Sequence, residues 1–168
     1  YYTLDGYSVV NMATLRTGVS NTLYIVFRSK TKPDEYKIKN TDGIGGAGAL
    51  KNWGKEVSFS TSELKMDGDC KFVNTKKSAD VYYAFENAVY RWSLISAPAS
   101  KPVITVPEGE QIRTLATNFM GKNPGDSGED LLYIATYNPS RAGEKKGSLY
   151  VYRFSDDSLV KSYEGIFW

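Results

Sequence analysis

Three stretches of this sequence repeat one plan: an apolar and aromatic run, a turn, and a second run that alternates Tyr or Trp with basic residues. The first is Leu23-Tyr24-Ile25-Val26-Phe27, a turn at Lys32-Pro33-Asp34-Glu35, and Tyr36-Lys37-Ile38-Lys39. The second is Asp80 to Phe85, the dipeptide Glu86-Asn87, and Ala88 to Leu94. The third is Leu131 to Tyr137, a polar connection from Asn138 to Gly147, and Ser148 to Phe154, with a closing run at Leu159 to Tyr163. Alternation at period two lays successive side chains on opposite faces of a strand, so each stretch reads as a β-hairpin. Pro33 and Asp34 supply turn chemistry at the first tip, and Asn87 suits a two-residue turn that needs a positive φ.

Tyr24, Tyr83 and Tyr133 stand 59 and 50 residues apart, the scale of a four-stranded propeller blade with loops of variable length. Blade-like units are expected near residues 21–75, 78–119 and 129–166. The second unit continues through Val103 to Val106, a turn at Pro107 to Gly109, and Ile112 to Phe119, a strand that also opens the next unit. No window of about 11 residues keeps apolar side chains at helical spacing without Gly, Pro or a β-branched run interrupting it. The expected fold class is all-β, with β-propeller-like repeats of antiparallel blades in one domain spanning 1–168. A propeller closes with roughly four blades or more. The fourth is either a degenerate blade assembled from residues 1–20 with 55–75, or one of several that lie outside this chain. The second alternative is the expectation, so the chain reads as about three to four blades of a larger propeller.

Thirteen Tyr and three Trp in 168 residues fit this picture, because aromatic rings suit a half-buried pleated surface and a Tyr hydroxyl can stay wet. The 21 Lys and Arg nearly balance the 19 Asp and Glu and are scattered among them. Nucleic acid is therefore not an expected partner, since phosphate contact needs a concentrated basic footprint. Cys70 is the single cysteine, which excludes an internal disulfide and a cysteine-based zinc cluster. It is expected as a small, partly buried side chain. No apolar run approaches the roughly 20 residues of a membrane-spanning helix, and the residues from Tyr1 do not read as a basic n-region followed by an apolar h-region, which says nothing about secretion.

There is no His in the chain, which removes Ser-His-Asp and Cys-His catalysis and His-ligated zinc. No cofactor is expected. A glycosidase needs only two carboxylates about 5 to 10 Å apart, so a glycan-active hydrolase or lyase using an acidic pair is the alternative, although no acidic residue is marked out by its context. Asp67-Gly68-Asp69 and Asp126-Ser127-Gly128-Glu129-Asp130 carry oxygen ligands of the kind calcium takes, but neither matches the EF-hand loop, and both read as solvated turns. No apolar strand leads directly into Gly43-Ile44-Gly45-Gly46-Ala47-Gly48 and no helix with Lys-Ser or Lys-Thr follows, so these glycines read as a loop at the rim of a binding face, not a phosphate cradle.

Alternation places Tyr90 with Trp92, and Tyr150 and Tyr152 with Phe154, on single strand faces, where packing against neighbouring strands accounts for them. Loop aromatics are freer to meet a ligand. The candidate ligand-binding residues are Trp53, which follows the Gly-rich stretch, Tyr137, which opens the ten-residue polar connection, and Arg141 within it. Ring faces of Trp and Tyr stack on sugars or apolar peptide side chains, and an arginine fork binds a carboxylate through two parallel hydrogen bonds.

The phrases Val81-Tyr82-Tyr83-Ala84-Phe85-Glu86-Asn87-Ala88-Val89-Tyr90-Arg91-Trp92-Ser93-Leu94 and Gly147-Ser148-Leu149-Tyr150-Val151-Tyr152-Arg153-Phe154, followed by Lys161-Ser162-Tyr163-Glu164-Gly165-Ile166, resemble the C-terminal propeller of Bacteroidetes PKD-like surface lipoproteins. In that family such hairpins alternate with a strand like Glu110-Gln111-Ile112-Arg113. The resemblance spans Asp80 to Ile166, about half the chain. It implies a lipid-anchored protein on the outer face of the outer membrane, accessory to a nutrient-import pair of a TonB-dependent transporter and its substrate-binding lid. The implied PKD-type domains and lipidated Cys would precede Tyr1, so Cys70 is not the lipid site. The implied role is a non-enzymatic cell-surface module that captures a glycan or peptide nutrient, or docks onto the outer-membrane import complex.

Overall fold

The computed structural model describes residues 4–17, 20–42, 56–60, 72–74, 80–98, 101–118 and 129–167. Among these the chain is all-β and holds no helix. Its strands are β1 (Tyr7–Thr17), β2 (Ser20–Ser29), β3 (Glu35–Asp42), β4 (Val57–Ser60), β5 (Val73–Asn74), β6 (Asp80–Phe85), β7 (Ala88–Ser93), β8 (Ile104–Thr105), β9 (Gln111–Thr117), β10 (Leu131–Tyr137), β11 (Gly147–Arg153) and β12 (Leu159–Phe167). They form three four-stranded sheets, β1 to β4, β5 to β8 and β9 to β12, and within each sheet every strand lies beside its sequence neighbour. The described pairings are all antiparallel. Each sheet is thus a meander, the arrangement that short turns between period-two strands favour.

The chain divides into two compact units, Tyr1–Tyr82 with Arg91–Ser100, and Tyr83–Tyr90 with Lys101–Trp168. In the first unit, the pairings Tyr24 with Asn40, Val26 with Ile38 and Tyr36 with Phe59 put these residues on one face of the sheet. Tyr24, Val26, Tyr36 and Ile38 are at most 5% exposed. Phe59 stacks on Tyr36 at 5.4 Å and meets the edge of the buried Trp92 at 5.4 Å, an arrangement that suits the ring quadrupoles. The Trp92 indole Nε1 donates to the Ser96 carbonyl at 2.9 Å, so this buried polar atom is satisfied. On the opposite face of β3, Lys37 and Lys39 reach Glu56 at 2.8 and 3.2 Å. These two lysines hold the Glu56 carboxyl below its ordinary pKa.

In the second unit, Leu132, Ile134 and Thr136 on β10 and Tyr150 and Tyr152 on β11 are buried. Their alternation follows from the register Leu132 with Tyr152 and Ile134 with Tyr150. Tyr83 and Tyr90 stack at 5.2 Å at the tip of the β6–β7 hairpin. That tip is tied on by three backbone hydrogen bonds, in which Val103, Val106 and Ile112 donate to the carbonyls of Val89, Asn87 and Glu86. Strand β12 is an edge strand, and Leu159, Val160, Tyr163, Ile166 and Phe167 along it are exposed.

The strands differ from the sequence expectations in three places. The described parts of 1–20 and 55–75 do not assemble into a degenerate unit of their own: β1 pairs with β2 and β4 with β3, completing the first sheet, while Val73–Asn74 belongs to the second. Strand β9, read both as the end of the second unit and as the strand that opens the next, lies beside β10 and belongs to the third sheet alone. The tight turn at Glu86-Asn87 carries its positive φ, 55°, at Glu86 and not at Asn87. The Asn87 amide instead donates to the Val106 carbonyl at 3.4 Å, binding the tip to the segment beside it.

Candidate functional site

Of the three candidate residues, Trp53 lies outside the described residues, as do Cys70, the Gly-rich stretch 43–48 and Asp67-Gly68-Asp69. Tyr137 and Arg141 lie at one end of the third sheet. Tyr137 ends β10 opposite Gly147 and Gln111, is half-buried, and has the Arg113 guanidinium over its ring at 5.2 Å. A cation in that position already occupies one ring face. The connection after it is locally organised: Asn138 donates to Lys146 O at 2.9 Å, Ser140 N donates to the Asn138 side chain at 3.0 Å, and Arg141 N donates to Asn138 O at 3.2 Å. Gly143 takes φ +88°, a conformation open to glycine because it has no Cβ.

Arg141 is not a free fork. Its Nη2 donates to Glu110 Oε1 at 2.5 Å and its Nη1 to Ser148 Oγ at 2.6 Å, and Glu164 Oε2 stands 3.7 Å from the same Nη2. The other Glu110 oxygen accepts from Thr136 Oγ1 at 2.5 Å. Glu110, Thr136 and Ser148 are all at most 3% exposed. In this structure the guanidinium is thus engaged by Glu110 and Ser148, and Arg141 forms an internal clasp. The clasp joins β10, β11, the connection between them and the turn before β9. Burial, together with the charges of Glu110 and Glu164, raises the pKa of the neighbouring Tyr150 phenol. It therefore stays neutral near pH 7.

Glu110 was not singled out by sequence reasoning. A Glu at the start of a strand after Pro107-Glu108-Gly109 has the signature of a solvated turn, and the turn itself is as expected, with Glu110 N donating to Pro107 O at 3.1 Å and Gly109 at φ +85°. The only local hint is that Glu110 precedes a strand whose partner, β10, is apolar. Elsewhere, Arg91 pairs with Asp80 across β6 and β7 at 3.1 Å, and Arg153 pairs with Glu129. Among the described residues no three His, Cys, Asp or Glu side chains gather as a metal site would require.

Comparison with known proteins finds no matching family model, no similar curated protein and no similar solved structure.

Proposed function

We propose that this chain contributes three blades to a larger β-propeller of the PKD-like surface-lipoprotein kind and acts without chemistry, capturing a glycan or peptide nutrient or docking onto an outer-membrane import complex. The observation that supports the blade reading is the recurrence of one unit: three successive four-stranded antiparallel meanders. A blade has this internal order, and three units fall short of the roughly four that a ring needs. The remaining blades and a lipid anchor at the outer face of the outer membrane belong to the same proposal.

The non-catalytic reading is favoured by the state of the carboxylates. Glu110 and Glu164 flank the Arg141 guanidinium, and Glu129 and Asp156 flank that of Arg153, so each of these carboxylates already faces a cation. Glu110 is buried, and both of its oxygens already accept hydrogen bonds, so it cannot protonate or attack a glycosidic bond that it does not reach. The test is a glycan array and a peptide library probed with the chain and with Trp53→Ala and Tyr137→Ala variants. A ligand bound unchanged and lost with either ring supports capture by stacking. Turnover of a bound glycan, lost on replacing one carboxylate, would overturn the reading in favour of a hydrolase or lyase.

A further inference from the structure

The buried face of the first sheet departs from its own pattern at one position. Alternation along β3 runs Tyr36, Ile38, Asn40, and the pairing Tyr24 with Asn40 sets this amide beside a buried aromatic ring. Asn40 Oδ1 is buried and has no hydrogen-bond partner. Buried polar atoms are almost always paired, so an orphaned acceptor calls for an explanation. Asn40 also lines a cavity of about 280 Å³ together with Tyr24, Ile38, Val57, Leu94 and Ile95. Ile38 and Leu94 are each 1% exposed whereas Ile95 is 64% exposed, so the cavity has a closed floor and one wall at the surface.

The chemistry of the lining sets what fits. Among the described residues no charged side chain lines the cavity, so a charged ligand would lose its hydration without compensation from them. A bound water needs about two to four polar partners, which a lining of four aliphatic side chains, one Tyr and one amide is poorly suited to give. A dry apolar cavity of roughly 150 Å³ takes up benzene, so the larger volume suits a fused bicyclic ring. Pockets of this kind combine an apolar wall with a few polar groups that fix orientation.

We propose that this cavity binds a neutral, apolar small molecule of bicyclic size carrying one N–H or O–H group, which donates to Asn40 Oδ1. This ligand goes beyond the glycan or peptide capture proposed above, and among the described residues neither Tyr137 nor Arg141 lines the cavity.

The probe is indole, titrated into the full chain and followed by methyl and amide NMR shifts, against benzofuran, which has the same shape without the N–H donor. Saturable indole binding is expected, with shifts centred on Val57, Leu94 and Ile95, and benzofuran is expected to bind about threefold to tenfold more weakly. Asn40→Leu should bind both ligands and lose the preference between them; Val57→Phe, which fills the cavity, should bind neither. N-acetyltryptophanamide tests whether the ring can carry a peptide backbone: its exclusion supports a free small molecule, and affinity equal to indole's would overturn that in favour of a tryptophan side chain. Equal affinities of the unsubstituted chain for indole and benzofuran, no saturable binding, or shifts away from the lining would each overturn the proposal, and none of these needs a variant to fold.

Discussion

Replacing Arg141 with Met removes one half of the buried clasp and keeps an unbranched apolar stem. The Glu110 carboxylate, its side chain 2% exposed, is then left with the Thr136 hydroxyl alone. Breaking a buried pair from one side costs about 3 to 5 kcal/mol because the remaining charge has neither water nor a partner. The lower figure applies, since the Arg141 side chain is itself 20% exposed and its removal opens a path for water. Glu110→Gln is the informative partner: the amide retains hydrogen-bonding groups towards Arg141 and Thr136, and the guanidinium keeps Ser148 at 2.6 Å and Glu164 at 3.7 Å. Its cost should be about 1 kcal/mol, the scale of one altered hydrogen bond. Native-state amide exchange across 131–137 and 147–153 reads this locally. With tenfold in rate for each 1.4 kcal/mol, exchange should accelerate roughly a hundredfold in Arg141→Met and about fivefold in Glu110→Gln. The double variant should cost less than the sum of the two, as expected for residues in one network. Exchange in Arg141→Met within threefold of the unsubstituted chain, or a Glu110→Gln variant at least as damaged, would refute the clasp.

Two further outcomes follow from single residues. Glu56 has its carboxyl pKa depressed by Lys37 and Lys39; a depressed folded value contributes stability that is present above the unfolded pKa, near 4.5, and is lost as pH falls through the folded one. The stability deficit of Glu56→Gln seen in urea titrations at pH 7 should therefore shrink as the pH is lowered below that value, and a deficit that is constant with pH would count against the network. Glu86 holds a φ of 55° at the first position of a two-residue turn, a conformation that costs an L-residue about 1–2 kcal/mol. Allowing for glycine's greater entropy loss, Glu86→Gly should raise stability by roughly 0.5–1 kcal/mol, read as an increase in Tm.

The strands were legible where their signals are local. The second and third hairpins fall within a residue of expectation, and the first has its turn where Pro33-Asp34 put it while β2 and β3 each run up to three residues further, because period-two alternation and turn chemistry act over a few residues. Strand β1 was harder to see: Met12 and Val9 on it are exposed while Ala13 is buried, and a register shift between Val9 and Asn11 interrupts the alternation. Strand β12 runs on to Phe167 past Gly165 at φ +61°, a glycine that by itself signals an end. At the candidate site, Tyr137 and Arg141 were visible as residues of a polar connection, but the two groups that occupy them, Arg113 and Glu110, were not.

The sequence alone determined that the chain is built from antiparallel hairpins, that aromatic residues recur along their strands, and that catalysis through His is excluded, since each of these is a property of residue type or short spacing. The tertiary structure alone decided which strands share a sheet, that Arg141 is spent on Glu110 31 residues away, and that Asn40 has a buried oxygen beside a cavity. The physical reason is range: strand propensity and turn chemistry are set by neighbours in the chain, whereas an ion pair or an orphaned acceptor exists only once distant strands have been brought within a few ångströms and water has been removed from between them.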